Sequence, residues 1–251
     1  MVTFHQSYGY EEFIGGITAE TDGNSIRYRM KEGIFMELCK QARKHIDRPY
    51  VILIDEINRG DISRIFGELI TLIEEDKRYV NKDSPGIALT VPNFKDKFSV
   101  PDNVFIIGTM NDSDRSIALL DVALRRRFIF FNIKPDSKVL ERWIKDEGLE
   151  SKVERALIEL NKKIEKEKDA DSQIGHAFFK SLENTNDERK GLVYIFKYKI
   201  FPLLSEIFYA QDEVSKVLIP NKFNIKNLNV NNIEDYLDEL IKLGDSSEIG
   251  K

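Results

Sequence analysis

An α/β fold is predicted for the first half of this 251-residue chain, a mostly parallel sheet covered by helices, with a small all-helical domain behind it. Two patterns carry that prediction. Up to about Pro135, short apolar runs alternate with segments of helical spacing, and the order strand, helix, strand is the mark of a parallel sheet. After Pro135 the apolar residues recur at intervals of three and four almost without a break, the period of helices that pack on one another. The boundary falls near Lys134 to Ser137, which divides a core over 1–135 from a helical domain and C-terminal extension over 136–251.

The predicted strands are Val2 to Phe4, Tyr50 to Ile54, Val104 to Ile107 and Phe128 to Ile133. Phe35, Leu38, Cys39 and Ala42 trace an amphipathic helix before the second strand, and Ile62, Ile65, Phe66, Leu69, Ile70 and Ile73 trace another after it. Two polar insertions, Thr18 to Glu32 and Tyr79 to Asp102, read as hairpins or loops, because Asp22-Gly23 and Pro85-Gly86 are turn dipeptides beside β-compatible residues. In the second half the helical period runs through Val139 to Ile144, Val153 to Ile164 and Ile195 to Phe208, with a further amphipathic helix over Ile233 to Leu243.

Composition removes several classes of function. Charged residues are 32% of the chain and the net charge is -5, so no global field attracts a phosphate backbone, and any nucleic-acid contact must be local. Lys77, Arg78, Lys82, Lys95 and Lys97, in and beside the second insertion, are the one local basic group that suggests itself. The single cysteine, Cys39, has no partner for a disulfide and sits in an apolar stripe, as expected of a packed thiol in a reducing cytoplasm. No apolar run approaches the roughly 20 residues that cross a bilayer, and the start lacks the basic-then-apolar pattern of a secretory signal. A cytoplasmic protein without membrane attachment is the expectation.

Three stretches carry chemistry. Tyr50 to Ile54 is an unbroken aliphatic strand that ends in Asp55 and Glu56. In open parallel sheets ligands sit beyond the carboxyl ends of the strands, so one carboxylate there can hold a hydrated Mg2+ and its neighbour can orient or deprotonate a water. Acidic residues also follow strands as ordinary helix caps. Val104 to Ile107 runs into Gly108-Thr109-Met110-Asn111, and if this strand lies beside the first, the Asn111 amide reaches the same crevice. Good turn formers leading to an N-cap explain the same residues. Arg125, Arg126 and Arg127 close a short helix; successive side chains point about 100° apart, so the three serve different partners. They complement a helix C-terminus in any fold, or carry a guanidinium to a neighbouring subunit's nucleotide.

Taken in order, VTFHQSYGYEEFIGG (2–16), ILIDEINRGDISRIFGELITLIEEDKR (52–78), VPDNVFIIGTMNDSDRSIALLDVALRRRF (100–128) and IGHAFF (174–179) resemble the AAA+ family, and within it the McrB branch of restriction NTPases. MoxR-like and dynein-related AAA+ proteins share the general plan. The resemblance implies an AAA+ αβα core followed by a helical lid, with Asp55 on the Mg2+ shell, Glu56 activating water and Asn58 and Arg59 following as in the family signature. It implies Asn111 as the first sensor, Asp114 and Arg115 as braces of the interface or of a neighbour's nucleotide, Arg125 and Arg126 as finger arginines, and Arg127 as structural. Gln173 to His176 matches the second sensor, with Gly175 allowing close backbone approach and His176 reaching phosphate. GTP or ATP as substrate, a homo-oligomeric ring, commonly a hexamer, a McrC-like nuclease partner, and DNA reading by a separate N-terminal domain complete the picture.

The sequence departs from the family at one place. Gly9, Gly15 and Gly16 are followed by no Lys-Ser or Lys-Thr, so the first strand, the phosphate-binding Walker A loop and its helix are expected to be missing, and the chain by itself to bind nucleotide poorly. A non-catalytic remnant that binds intact relatives is the alternative to an NTPase.

Overall fold

A computed structural model describes residues 1–22, 25–92, 94–111, 122–208 and 225–245. The chain divides into two compact units, Met1–Phe131 and Asn132–Lys251. The first unit contains β1 (Val2–Thr3), α1 (Tyr10–Phe13), β2 (Gly15–Asp22), β3 (Ser25–Glu32), α2 (Ile34–Lys44), β4 (Tyr50–Asp55), α3 (Ile62–Phe66), β5 (Leu89–Thr90), β6 (Lys97–Phe98), β7 (Val104–Gly108) and α4 (Val122–Arg125). Its main sheet has the order β1-β4-β7, with both pairs parallel. The two polar insertions form antiparallel hairpins, β2 with β3 and β5 with β6.

Local sequence explains most of these elements. α2 buries Phe35, Met36, Cys39 and Ala42 on one stripe, and Gly33 precedes it because the backbone of Phe13 lies so close that a Cβ there would stand 2.3 Å from the Phe13 carbonyl carbon. Burial pushes the Cys39 thiol well above its ordinary range, with Arg78 and Arg43 opposing the shift, so it remains a protonated core residue. Beyond α2 the chain is gathered by Asn103, whose Nδ2 donates to the carbonyls of Ala42, His45 and Arg48 at 3.0, 3.1 and 2.8 Å. Asn103→Ala is expected to cost about 1–3 kcal/mol, seen as a lower urea midpoint, since these carbonyls lose their donor in a site water reaches poorly.

The helix expected over Ile62 to Ile73 is broken. After α3, Gly67 turns to φ 52°, and a Cβ on it would meet the Tyr10 ring at 2.8 Å; a short 3-10 segment, Gly67–Thr71, continues the path. Tyr10 also donates its hydroxyl to Glu68 at 2.8 Å, so the break is fixed by α1 packing on α3. The apolar stripe survives, and Leu69 and Leu72 are fully buried all the same.

Two expectations about the sheet are corrected. Phe128–Ile133 forms no strand, and Ile129, Phe131 and Ile133 are 83–89% exposed. The apolar run is that of a strand, but a strand also needs a neighbouring edge, and no described residue pairs with this run. Among the described residues the sheet is also covered on one face only: Ile52, Ile54 and Val104 are buried against Phe4, Phe13, Phe35 and Phe66, while Val51, Leu53, Phe105 and Ile107 on the other face are 43–51% exposed. Both faces of β4 are apolar, as in strands buried on both sides.

The second unit is helical among the described residues: α5 (Glu147–Glu167), α6 (Glu188–Ile195), a π-helical turn (Phe196–Ile200), α7 (Phe201–Ile207) and α8 (Ile233–Asp245), with 3-10 segments that include Ser137–Arg142 and His176–Asn184. Asp146 and Asp187 cap α5 and α6, each accepting from the backbone N–H three residues on, at 3.1 and 3.0 Å. Its core runs from Leu140 to Leu240. Inside it, Asn161 clamps Ile174 from both sides, donating to its carbonyl at 2.9 Å and accepting from its N–H at 2.7 Å. No helix among the described residues is long and apolar enough to cross a membrane.

Candidate active site

Parallel strands bring their carboxyl ends to one edge, and the register that sets Ile54 against Gly108 makes Asp55, Glu56 and Thr109 neighbours. Thr109 ties them together. Its N–H donates to Ile54 O at 2.9 Å and its carbonyl accepts from Ile57 N at 2.9 Å, while its hydroxyl donates to Asp55 Oδ1 at 2.6 Å and accepts from Glu56 N at 3.3 Å. On the other side, Phe4 N donates to Asp55 O at 2.9 Å. Asp55 is thus held from both sides, its carbonyl by Phe4 and its carboxylate by Thr109, and its Oδ2 accepts no hydrogen bond among the described residues.

Glu56 is the only non-glycine residue at positive φ among those described, with φ 54° and ψ 47°. An L-residue held there costs about 1–2 kcal/mol, and such residues gather at functional sites. Arg59 Nε donates to Glu56 Oε2 at 3.0 Å. Asn58 is buried, and its Oδ1 has no hydrogen-bond partner in the described structure, an uncommon condition that calls for a reason. Asn111, two residues past Thr109, is exposed.

The donor chemistry fits a Mg2+ ion that arrives with a phosphate. Mg2+ is usually held by one or two carboxylates together with phosphate oxygens and waters. Asp55 offers one hard carboxylate oxygen of that kind, whereas no group of three or more His, Cys, Asp or Glu able to cage an ion exists among the described residues.

The arginine run is split three ways. The Arg127 side chain is 7% exposed and pairs with Glu74 at 2.6 Å; Arg126 is 67% exposed and lies 3.6 Å from the same carboxylate. Arg125 stands over the Phe130 ring at 5.3 Å. Glu74 also accepts from Lys77, and that bond, aided by the charges of Lys77, Arg127 and Arg126, holds its carboxyl below the ordinary range. Of the basic group near the second insertion, Lys77 is therefore engaged, and Arg78 turns inward to the carbonyls of Ile73 and Val104, where burial lowers its pKa. Lys82, Lys95 and Lys97 are exposed.

His176 belongs to the second unit, where its Nδ1 accepts from Asp136 N at 2.9 Å and its ring lies 6.0 Å from that of Trp143. A Cβ on Gly175 would meet nothing within 4 Å. Asp114 and Arg115 fall outside the described residues. Thr109 is the residue to which sequence reasoning gave no role; its one signal is a β-branched hydroxyl directly after a strand, which gains meaning only once that strand is known to lie beside β4.

An acidic pair at the carboxyl edge of a parallel sheet, in a chain that continues into helices, agrees with an AAA-type core, and residues 1–128 match the profile of the AAA domain of the dynein-related subfamily. Residues 152–216 match the α-helical lid domain of McrB. The chain belongs to the AAA family and is of the McrB type within it. Over 83% of its length it is 41% identical to the Type IV methyl-directed restriction enzyme EcoKMcrB subunit of Escherichia coli (strain K12), of which it spans 47%. Over 80% of its length it is 26% identical to the Type II restriction enzyme BsuMI component YdiS of Bacillus subtilis (strain 168), of which it spans 69%. The dynein-related proteins, which share the general plan, are thus the wider group, and the lid separates out the McrB type.

Proposed function

We propose that this chain is the nucleotide-hydrolysing part of a McrBC-like, modification-dependent DNA restriction system, working in the cytoplasm on GTP or ATP. The observation that carries this reading is the Thr109 clamp, which fixes Asp55 and Glu56 side by side at the carboxyl edge of the sheet. Asp55 would hold Mg2+ through one carboxylate oxygen. The ion supplies charge neutralisation for the phosphates when bound. Glu56 accepts a proton from the attacking water, Asn111 orients that water by its amide, and Asn58 and Arg59 shape the floor beneath. Arg125 and Arg126 act across a subunit boundary, which requires head-to-tail contacts closing into a ring, on the family pattern a hexamer. Asp114 and Arg115 brace that boundary, and His176 contacts phosphate from the lid. A McrC-like nuclease is the partner, and a separate domain reads the DNA.

The phosphate grip is not in these 251 residues, which hold no Gly-rich loop ending in Lys-Ser or Lys-Thr. The bare sheet face of Val51, Leu53, Phe105 and Ile107 suits an amphipathic helix, and the exposed Phe128–Ile133 run suits an added strand. A strand, phosphate-binding loop and helix supplied from outside these residues would meet both needs. A chain carrying such a segment is expected to hydrolyse GTP or ATP in the presence of Mg2+ and to stop when EDTA removes it. Arg126→Ala is expected to lower that turnover, and mixing it with Glu56→Gln to recover part, because some interfaces then pair an intact Glu56 with an intact Arg126. No recovery on mixing would exclude an arginine acting in trans.

A further inference from the structure

The solvent face of the helix running from α6 into α7 carries two aromatic rings. Tyr194 and Tyr198 are 55% and 61% exposed, and their ring centroids stand 5.4 Å apart at an interplanar angle of 43°. Lys199 Nζ lies 5.7 Å from the Tyr194 centroid and Lys197 Nζ 5.8 Å from that of Tyr198. In a regular α-helix Lys199, five residues after Tyr194, would point about 140° away from it around the axis. The π-helical turn over Phe196–Ile200 widens the helix and brings this lysine back to the ring while Phe196 and Ile200 stay buried. The turn therefore builds the patch as well as interrupting the helix.

The electrostatics of the patch run against those of the chain, whose net charge is -5. The acidic groups at the start of this helix are occupied elsewhere: Glu188 accepts from the backbone N–H groups of Lys145 and Asp146, and Asp187 pairs with Lys190 at 3.0 Å; Glu206, eight residues past Tyr198, is the exposed carboxylate in α7. Lys197 additionally donates to the carbonyl of Lys226 at 2.9 Å, which fixes its ammonium beside the Tyr198 ring. Two exposed rings with cations beside them match a polyanion whose units also have flat faces.

We propose that the Tyr194–Tyr198 ridge binds single-stranded nucleic acid, with unpaired bases stacking on the two rings and Lys197 and Lys199 meeting the backbone phosphates. Base–aromatic stacking with flanking cations is the general chemistry of sequence-tolerant single-strand binding. The ridge has no part in the nucleotide chemistry proposed above, so Glu56→Gln leaves this binding intact, and failure of either reading is distinguishable from failure of the other.

The test is fluorescence anisotropy of a labelled oligothymidylate titrated with the full chain at several salt concentrations. Saturable binding is expected, weakened about tenfold by Tyr194→Ala and again by Tyr198→Ala, and largely kept by Tyr194→Phe and Tyr198→Phe, which preserve the stacking surface. Lys197→Gln and Lys199→Gln are each expected to lower the slope of log K against log salt by about 0.7. Circular dichroism of each variant checks that these exposed positions leave the fold unchanged. Absence of saturable binding, alanine variants that bind like the parent, or equal displacement by duplex DNA or by polyglutamate would each overturn the proposal, the last by showing a site for acidic polypeptides.

Discussion

Replacing Glu56 by Gln is expected to reduce nucleotide turnover by about 10²- to 10⁴-fold in a chain that also carries the phosphate-binding loop, with little change in nucleotide affinity. That range corresponds to about 3–5.5 kcal/mol of lost transition-state stabilisation, the usual share of a positioned general base. Gln has the same shape, accepts from Arg59 Nε as the carboxylate does at 3.0 Å, and occupies the left-handed backbone position no worse than Glu. The capacity to take a proton is removed, together with the negative charge that pairs with Arg59. Measured kcat and KM for GTP and ATP decide the matter: turnover equal to the parent would remove Glu56 from the mechanism, whereas a raised KM at constant kcat would make it a binding group.

The second large effect concerns stability. Phe13 is fully buried at the end of α1, with its ring stacked on Phe35 at 5.0 Å, tilted on Phe66 at 4.8 Å and edge-on to Phe4 at 5.6 Å. Phe13→Ala deletes the shared member of four aromatic contacts, the fourth being edge-on to Tyr8 at 6.4 Å, and leaves a cavity that fixed helices close poorly. A loss of about 3–5 kcal/mol is expected, against a total stability of about 5–15 kcal/mol for a typical domain. Phe13→Leu, which refills most of the space, should cost much less. Urea unfolding followed by circular dichroism measures both. The cluster also bears on the site, since Phe4 lies in it and Phe4 N holds Asp55 O. A Phe13→Ala variant as stable as the parent would mean that the four rings are not the core of this unit.

The elements whose partners are local were legible. Tyr50 to Asp55 reads as a strand because both its faces are apolar and its end is acidic, and α2 and α5 read as helices from stripes that depend on nothing farther than eleven residues away. The β2–β3 hairpin begins and ends on either side of the turn that Asp22-Gly23 announces, whereas β5 and β6 both lie past Pro85-Gly86, so that dipeptide marked a turn at Gly86 and not the hairpin. Phe128–Ile133 has the same kind of pattern and forms no strand, because a run of residues does not state whether a free edge exists beside it. The long helix after β4 failed for a related reason: the apolar period continues through Gly67, but the Tyr10 ring, more than fifty residues earlier, leaves room only for a glycine turned to positive φ.

By itself the sequence determined the AAA-type alternation, the helical second unit, the acidic strand end and the family, because periodicity, residue type and motif order are properties of short stretches read in line. The tertiary structure alone decided which strand lies beside β4, and with it the Thr109 clamp; it also decided the left-handed turn at Glu56 and which of Arg125, Arg126 and Arg127 is buried. Those features depend on groups that sequence separates by about fifty residues and packing brings within 3 or 4 Å, where hydrogen bonds and ion pairs act.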